Sequence, residues 1–178
     1  VLTRVVREVD EACERNGGEI PSPQELRKIP ALFGVCSETM RRYPVAFGNQ
    51  RTAAKDFVYK GYPIKAGEKL LFYTAQPHFD EKIFRDPDRF DIDRFLEPRL
   101  EQKVRYAFSP YGRGPHICLG AAMADSLFMT TVACLLRHFT FNAAKPGKRY
   151  KMLFQPGPTL PDGFSVTIRR RALPTMSS

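Results

Sequence analysis

The chain has 178 residues, with 28 lysines and arginines against 19 aspartates and glutamates, for a formal net charge of +9. That length predicts one domain, at roughly 150 residues each, and 43% hydrophobic with 26% charged residues excludes wholesale disorder. Four cysteines without a CxxC pair argue for reduced thiols over a disulfide framework or a zinc site, and no run reaches the ~18 apolar residues of a membrane helix.

The chain opens at Val1 without a methionine and already in a helical pattern, so it is expected to be a piece of something longer. Leu2, Val5, Val6, Val9 and Ala12-Cys13 recur at helical spacing and stop before Asn16-Gly17-Gly18. Ser22-Pro23-Gln24-Glu25 is a helix start, with a hydroxyl cap, a first-turn proline and Glu three residues on. The helix pauses at Pro30, resumes over about 31–43, and ends at Pro44. Residues 52–74 read as short strands, with a turn at Lys65-Ala66-Gly67-Glu68. An aromatic, charged, proline-bearing loop covers about 80–100. A glycine-rich loop at 108–120 leads into a helix over 119–138, apolar on nearly all sides and therefore expected to be buried. Asp125 and Thr130-Thr131 are its only polar interruptions of note. A β-rich stretch over 139–171 ends in Arg169-Arg170-Arg171, the only dense basic run. The other basic residues are spread along the chain, which speaks against nucleic-acid binding.

Three features carry chemistry. Cys118 sits among Gly112, Gly114 and Gly120, just before a helix start. Glycines let backbone pass close to a flat ligand, and a helix N-terminus favours thiolate over thiol. Such a sulfur suits a nucleophile or a metal ligand, and equally a small buried hydrophobe. Cys13, Cys36 and Cys134 sit in apolar helical settings and read as packing residues. A zinc site from His116, Cys118 and His78 or His138 lacks paired spacing. His138 suits a helix C-terminus. Glu38 and Arg41, at i and i+3, share a helix face and can pair, as a surface pair or as a buried one. Arg94, in Phe90-Asp91-Ile92-Asp93-Arg94-Phe95, lies in the aromatic loop.

In this order and spacing, ExxR, an arginine-phenylalanine loop and Tyr111-Gly-Arg-Gly-Pro-His-Ile-Cys-Leu-Gly120 resemble the C-terminal part of a cytochrome P450 over nearly the whole chain. The resemblance implies a mainly helical α+β fold: the C-terminal portion of a single such domain, with small β-sheets and a buried helix after the haem-ligand loop. It implies haem b as cofactor, with Cys118 as axial iron ligand. Glu38, Arg41 and Arg94 correspond to a buried charge cluster. His116, where the family has arginine or histidine, corresponds to a haem-propionate donor, and Arg51 to a second. Tyr111 stands where phenylalanine or tryptophan is usual, adding a hydroxyl that needs a partner. Val45, Ala46 and Phe47, and the turn at Gly157-Pro158, correspond to segments lining the substrate pocket.

The implied activity is monooxygenation: one oxygen atom from O₂ enters a small apolar organic substrate, with electrons from a flavoprotein reductase or a ferredoxin. Lys103, Arg105 and Arg113 form either a surface for that partner or a plain solvated face. Peroxide-driven or isomerising chemistry, or non-catalytic haem binding, are the alternatives. The family's oxygen-activating helix, with its acid–alcohol pair, finds no match in these residues, so the chain alone is expected to be inactive. Membrane association and cellular location are left open.

Overall fold

The computed structural model describes residues 1–145, 147, 148, 150, 152–154 and 158–172. Among the described residues, four helices pack into one corner, and four two-stranded antiparallel ladders decorate it. Helix α1 spans Leu2–Arg15 and buries Val5, Val9, Ala12 and Cys13, one stripe at 3.6-residue spacing. It stops where Gly17 and Gly18 take positive φ, and the Gly18 amide returns to the Cys13 carbonyl at 2.8 Å. The expected capping box is present: Ser22 accepts the Glu25 amide and Glu25 accepts the Ser22 amide, opening α2, Pro23–Leu26.

Helix α3 runs Pro30–Arg42, with proline at its first position and no cap from its own sequence. Its orphan amide at Ala31 is taken by the carboxylate of Glu8, from α1, at 2.8 Å. The core joins α1 and α3 to Leu26, Ile29, Ile92, Met129 and Ala133. A smaller core of Phe84, Phe95 and Ala107 holds the aromatic loop. Gly34 makes this assembly possible, because a Cβ there would lie 2.7 Å from the Ile92 carbonyl oxygen.

Strands β1 (Asn49–Thr52) and β4 (Lys69–Phe72) pair, and β2 (Phe57–Tyr59) pairs with β3 (Tyr62–Ile64). The ladder region thus begins three residues earlier than its sequence pattern indicates, because polar Asn49-Gln50-Arg51 joins β4 by backbone bonds alone. Late in the chain, β5 (Phe139–Ala143) pairs with β8 (Val166–Arg170), and β6 (Leu153–Phe154) with β7 (Pro158–Thr159).

Helix α4, Ala121–His138, departs from expectation. It buries Met129, Ala133 and Arg137, while Met123, Leu127 and Leu135 lie on an exposed stripe. Apolar residues on all sides report how much burial the helix requires. The elements packed on it here, α1, α2 and α3, cover one face only. Among the described residues, no helix is long and apolar enough to cross a membrane.

Candidate functional site

Glu38 and Arg41 form a buried pair with no solvent exposure on either side chain, which settles the choice between surface and buried readings. The pair is bidentate: Arg41 Nε donates to Glu38 Oε2 at 2.7 Å, and Nη2 to Oε1 at 2.9 Å. The rest of the guanidinium donates to the carbonyls of His78 and Pro87. Arg94 is equally buried, its Nε 3.4 Å from Glu38 Oε1. It donates to the carbonyls of Arg85 and Asp86, and to Glu101 at 3.1 Å. The Asp91 amide adds a bond to Glu38 at 2.9 Å. Two guanidinium groups thus face two carboxylates, and both arginines also donate to loop carbonyls. This is how an aromatic loop with little regular structure is held against α3.

His78 connects this cluster to the cysteine loop. Its side chain is buried, its ring lies 5.3 Å from that of Phe108, and its Nε2 accepts the Ser109 amide at 3.1 Å. Burial is the main reason its pKa falls from 6.5 to about 4, with the charges of Arg41 and Arg113 adding to the effect.

From Ser109 the chain turns out and back. The Gly112 amide returns to the Ser109 carbonyl, and the Cys118 amide to the Tyr111 carbonyl at 2.9 Å. Gly112 and Gly114 have φ of +73° and +75°, a region that side-chain-bearing residues rarely adopt. Gly120 needs no such freedom. It stands as the cap of α4, where a Cβ would lie 3.9 Å from Cys118 Sγ. The Tyr111 hydroxyl finds its partner in Asp125. Burial, followed by that carboxylate, pushes the Tyr111 pKa up. Cys118 is exposed, whereas Cys13 and Cys36 are buried; burial pushes the Cys36 thiol up to about 12.

Cys118 and His116 open onto a cavity of about 630 Å³. Its other walls come from α3 (Thr39, Met40), the segment Tyr43-Pro44-Val45-Ala46, the loop residues Pro110, Tyr111 and Gly112, and Ala124 and Phe128 of α4. Phe47 is not on this wall; its carbonyl accepts the Ala75 amide at 3.0 Å. Gly48 sets that close approach, since a Cβ there would lie 2.3 Å from the Phe72 oxygen. Arg51 is also off the wall, donating to the Gln50 carbonyl at 2.7 Å. Gly157 lies outside the described residues, and Pro158 sits in β7 away from the cavity. Arg105 and Arg113 stack on Tyr106, their guanidinium carbons 4.7 and 5.3 Å from the ring centre, and Lys103 stands in an exposed 3₁₀ turn.

Sequence reasoning did not single out Thr39, Met40, Glu101 or Asp125 as site residues, whereas Asn49, the end of the stretch from Val45 matched to the substrate pocket, does line the cavity. Thr39 and Met40 had a signal, because they alternate with Glu38 and Arg41 on α3 and so face another way. Asp125 was visible only as an acid in an apolar helix.

The donor set distinguishes the ligands that fit. Among the described residues, no group of three metal-ligating side chains comes together, so the zinc alternative falls. One exposed thiol, glycine-lined backbone and an apolar cavity suit a flat macrocycle whose metal takes a single protein ligand.

Comparison with known proteins agrees. A family model described as Cytochrome P450 matches residues 1–167. Sterol 14alpha-demethylase of Mycolicibacterium vanbaalenii is 35% identical over 152 residues, covering 83% of this chain and 32% of that protein. Cyclooctat-9-en-7-ol 5-monooxygenase of Streptomyces melanosporofaciens is 31% identical over 160 residues, covering 90% and 32%. Thromboxane-A synthase of Sus scrofa is 34% identical over 143 residues, covering 79% and 26%. The chain therefore spans about a third of the length of the curated relatives it matches. A crystal structure of the cytochrome P450DA heme domain superposes with a TM-score of 0.80 at 22% identity, over 96% of this chain and 37% of that one, so the fold is shared. With the family model matching residues 1–167, from α1 to the start of β8, this chain belongs to the cytochrome P450 family.

Proposed function

We propose that the protein acts as a haem-thiolate monooxygenase, inserting one oxygen atom from O₂ into a small apolar organic substrate with electrons from a partner protein. The observation that carries this reading is the exposed Cys118 thiol at the wall of an apolar cavity. Cys118 would hold the iron of haem b through its sulfur, and His116 would donate to a propionate. When bound, the haem supplies the redox chemistry, and sulfur ligation favours O–O cleavage.

The chain's own residues do the rest. Gly120 keeps a side chain away from the sulfur, while Gly112 and Gly114 supply the positive-φ turns that shape the loop around it. Tyr111 presents a ring and holds the Cys118 amide. Glu38, Arg41 and Arg94 hold the aromatic loop rigid beneath Ser109 through His78. Val45 and Ala46 give the substrate side an apolar wall. Arg51, whose Nη1 donates to the Gln50 carbonyl, has further N–H donors to offer a propionate. Arg105 and Arg113, gathered on Tyr106, form with Lys103 a basic surface for a flavoprotein reductase or a ferredoxin. The names of a demethylase and a monooxygenase among the relatives support this reaction class.

The test is the ferrous–carbon monoxide spectrum of the full-length protein, with turnover under NAD(P)H, O₂ and a surrogate redox partner. A thiolate-type Soret band that is lost in Cys118→Ser and kept in Cys36→Ser, together with oxidised product, is the expected result. The band without product under any oxidant points to a haem binder. Product formed without added electrons points to peroxide-driven or isomerising chemistry.

A further inference from the structure

An acid in an otherwise apolar helix needs a reason, and so does a tyrosine hydroxyl beside a metal-ligand loop. The structure answers both with one contact. Tyr111 donates its hydroxyl to Asp125 Oδ1, and Arg27 donates to Asp125 Oδ2. The Asp125 side chain is only 13% exposed, and both its oxygens are occupied. Arg27 is the C-terminal cap of α2, which packs against α4.

We propose that Asp125, held by Arg27, is a positioning residue for Cys118, acting through Tyr111. This rests on the haem-thiolate reading of Cys118 for its consequence, though not for its geometry. Tyr111 is gripped at both ends. Its carbonyl accepts the Cys118 amide at 2.9 Å, closing the base of the loop, and its hydroxyl is fixed to the second turn of α4. Between those residues lie Gly112 and Gly114, both at positive φ, so the loop has little stiffness of its own. A ring without the hydroxyl would pack but would not anchor. Asp125 therefore sets the distance between the loop base and the helix that starts beside Cys118. Arg27 balances the carboxylate that holds the Tyr111 hydroxyl, so the anchor leaves no unpaired negative charge against the tyrosine. The link draws together three segments: α2, the cysteine loop and α4.

The experiment uses the full-length protein and two readouts. The first is hydrogen exchange of the peptide covering 111–120, which requires no haem. Asp125→Asn and Tyr111→Phe are each expected to speed exchange at the Cys118 amide by roughly tenfold or more, the size of one lost hydrogen bond to a charged group. Exchange around Met129–Ala133 should stay as in the wild type. The double variant should be no worse than either single, because both break one link. The second is the rate at which the thiolate-type carbon monoxide band is lost in mild denaturant. It should rise in the same variants while helix content holds. Unchanged exchange at Cys118, additive effects, or band loss in step with global unfolding would overturn the proposal. If the wild type shows no thiolate-type band, the haem-thiolate reading fails, and exchange alone decides the positioning role.

Discussion

His78 Nε2 accepts the Ser109 amide at 3.1 Å, and this bond dictates the tautomer of a buried imidazole. The proton must sit on Nδ1, which has no hydrogen-bond partner among the described residues. Protonating Nε2 would break the link to the cysteine loop and place a cation near Arg41. Stability should therefore fall with pH in a defined window. The folded pKa of about 4 lies below the ordinary 6.5, so above pH 6.5 both states are neutral and the group contributes no pH dependence. Below it the unfolded chain binds a proton that the folded one refuses. Stability then drops by roughly 1.4 kcal/mol per pH unit until about pH 4. Asp10 is also depressed: burial, its largest influence, opposes this, and hydrogen bonds from Arg171 and Arg137 overcome it. Its contribution is lost only below 3.8, outside the histidine window. Denaturant midpoints between pH 7 and 4.5 should show the slope in the wild type and a flatter line in His78→Gln. Equal slopes would remove His78 as the source.

The buried cluster predicts a sharp contrast between two helix pairs. Arg41→Ala strands Glu38 in the core beside Arg94 and should cost about 3–5 kcal/mol. Arg7 and Glu11 also pair at 3.1 Å, but their side chains are 64% and 46% exposed. Arg7→Ala should cost less than ~0.5 kcal/mol. Equilibrium unfolding of both variants checks the contrast. Arg41→Lys keeps the charge and loses the fork, so it should recover only part of the loss.

Thiol labelling should follow exposure. In haem-free protein a small alkylating reagent should modify Cys118 first, and Cys36 last, since Cys36 is buried and its thiol pushed up to about 12. Adding haem should protect Cys118 and leave the others unchanged. Mass spectrometry of digested peptides reads the order, and early modification of Cys36 would contradict it.

The sequence stated the parts of this site that depend on local residue order. The ExxR spacing puts Glu38 and Arg41 on one face whatever surrounds the helix, and Gly112 and Gly114 imply unusual backbone wherever they sit. It could not state what depends on partners far along the chain. Glu101 reaches Arg94, and Asp125 reaches Tyr111, through contacts that no periodicity encodes. The half-exposed α4 is the same problem in reverse, since its pattern reports a need for cover and not which segment supplies it. Arg51 was assigned by position alone, and on β1 its guanidinium is held at a neighbouring carbonyl.

Gly34 offers a test in which two effects of opposite sign compete. Alanine in a helix interior is favoured over glycine by about 1 kcal/mol. At this position, however, the new Cβ would lie 2.7 Å from the Ile92 carbonyl oxygen and 3.0 Å from the Ile92 Cβ. Neither atom is the end of a flexible side chain. The carbonyl belongs to the 3₁₀ turn Ile92–Phe95, which carries Arg94 into contact with Glu38. Relief requires moving that turn, and with it one guanidinium of the buried cluster. Overpacking of this kind costs about 1–3 kcal/mol before any loss at Arg94 is added. Packing should therefore win, and Gly34→Ala should destabilise. Gly17 is the control: a Cβ there meets nothing within 4 Å, but φ is +68°, so Gly17→Ala should cost only the backbone strain of about 1–2 kcal/mol. Unfolding free energies of the two variants, with the rate of loss of the thiolate-type band, separate the cases. Gly34→Ala should change both measurements, and Gly17→Ala the first alone.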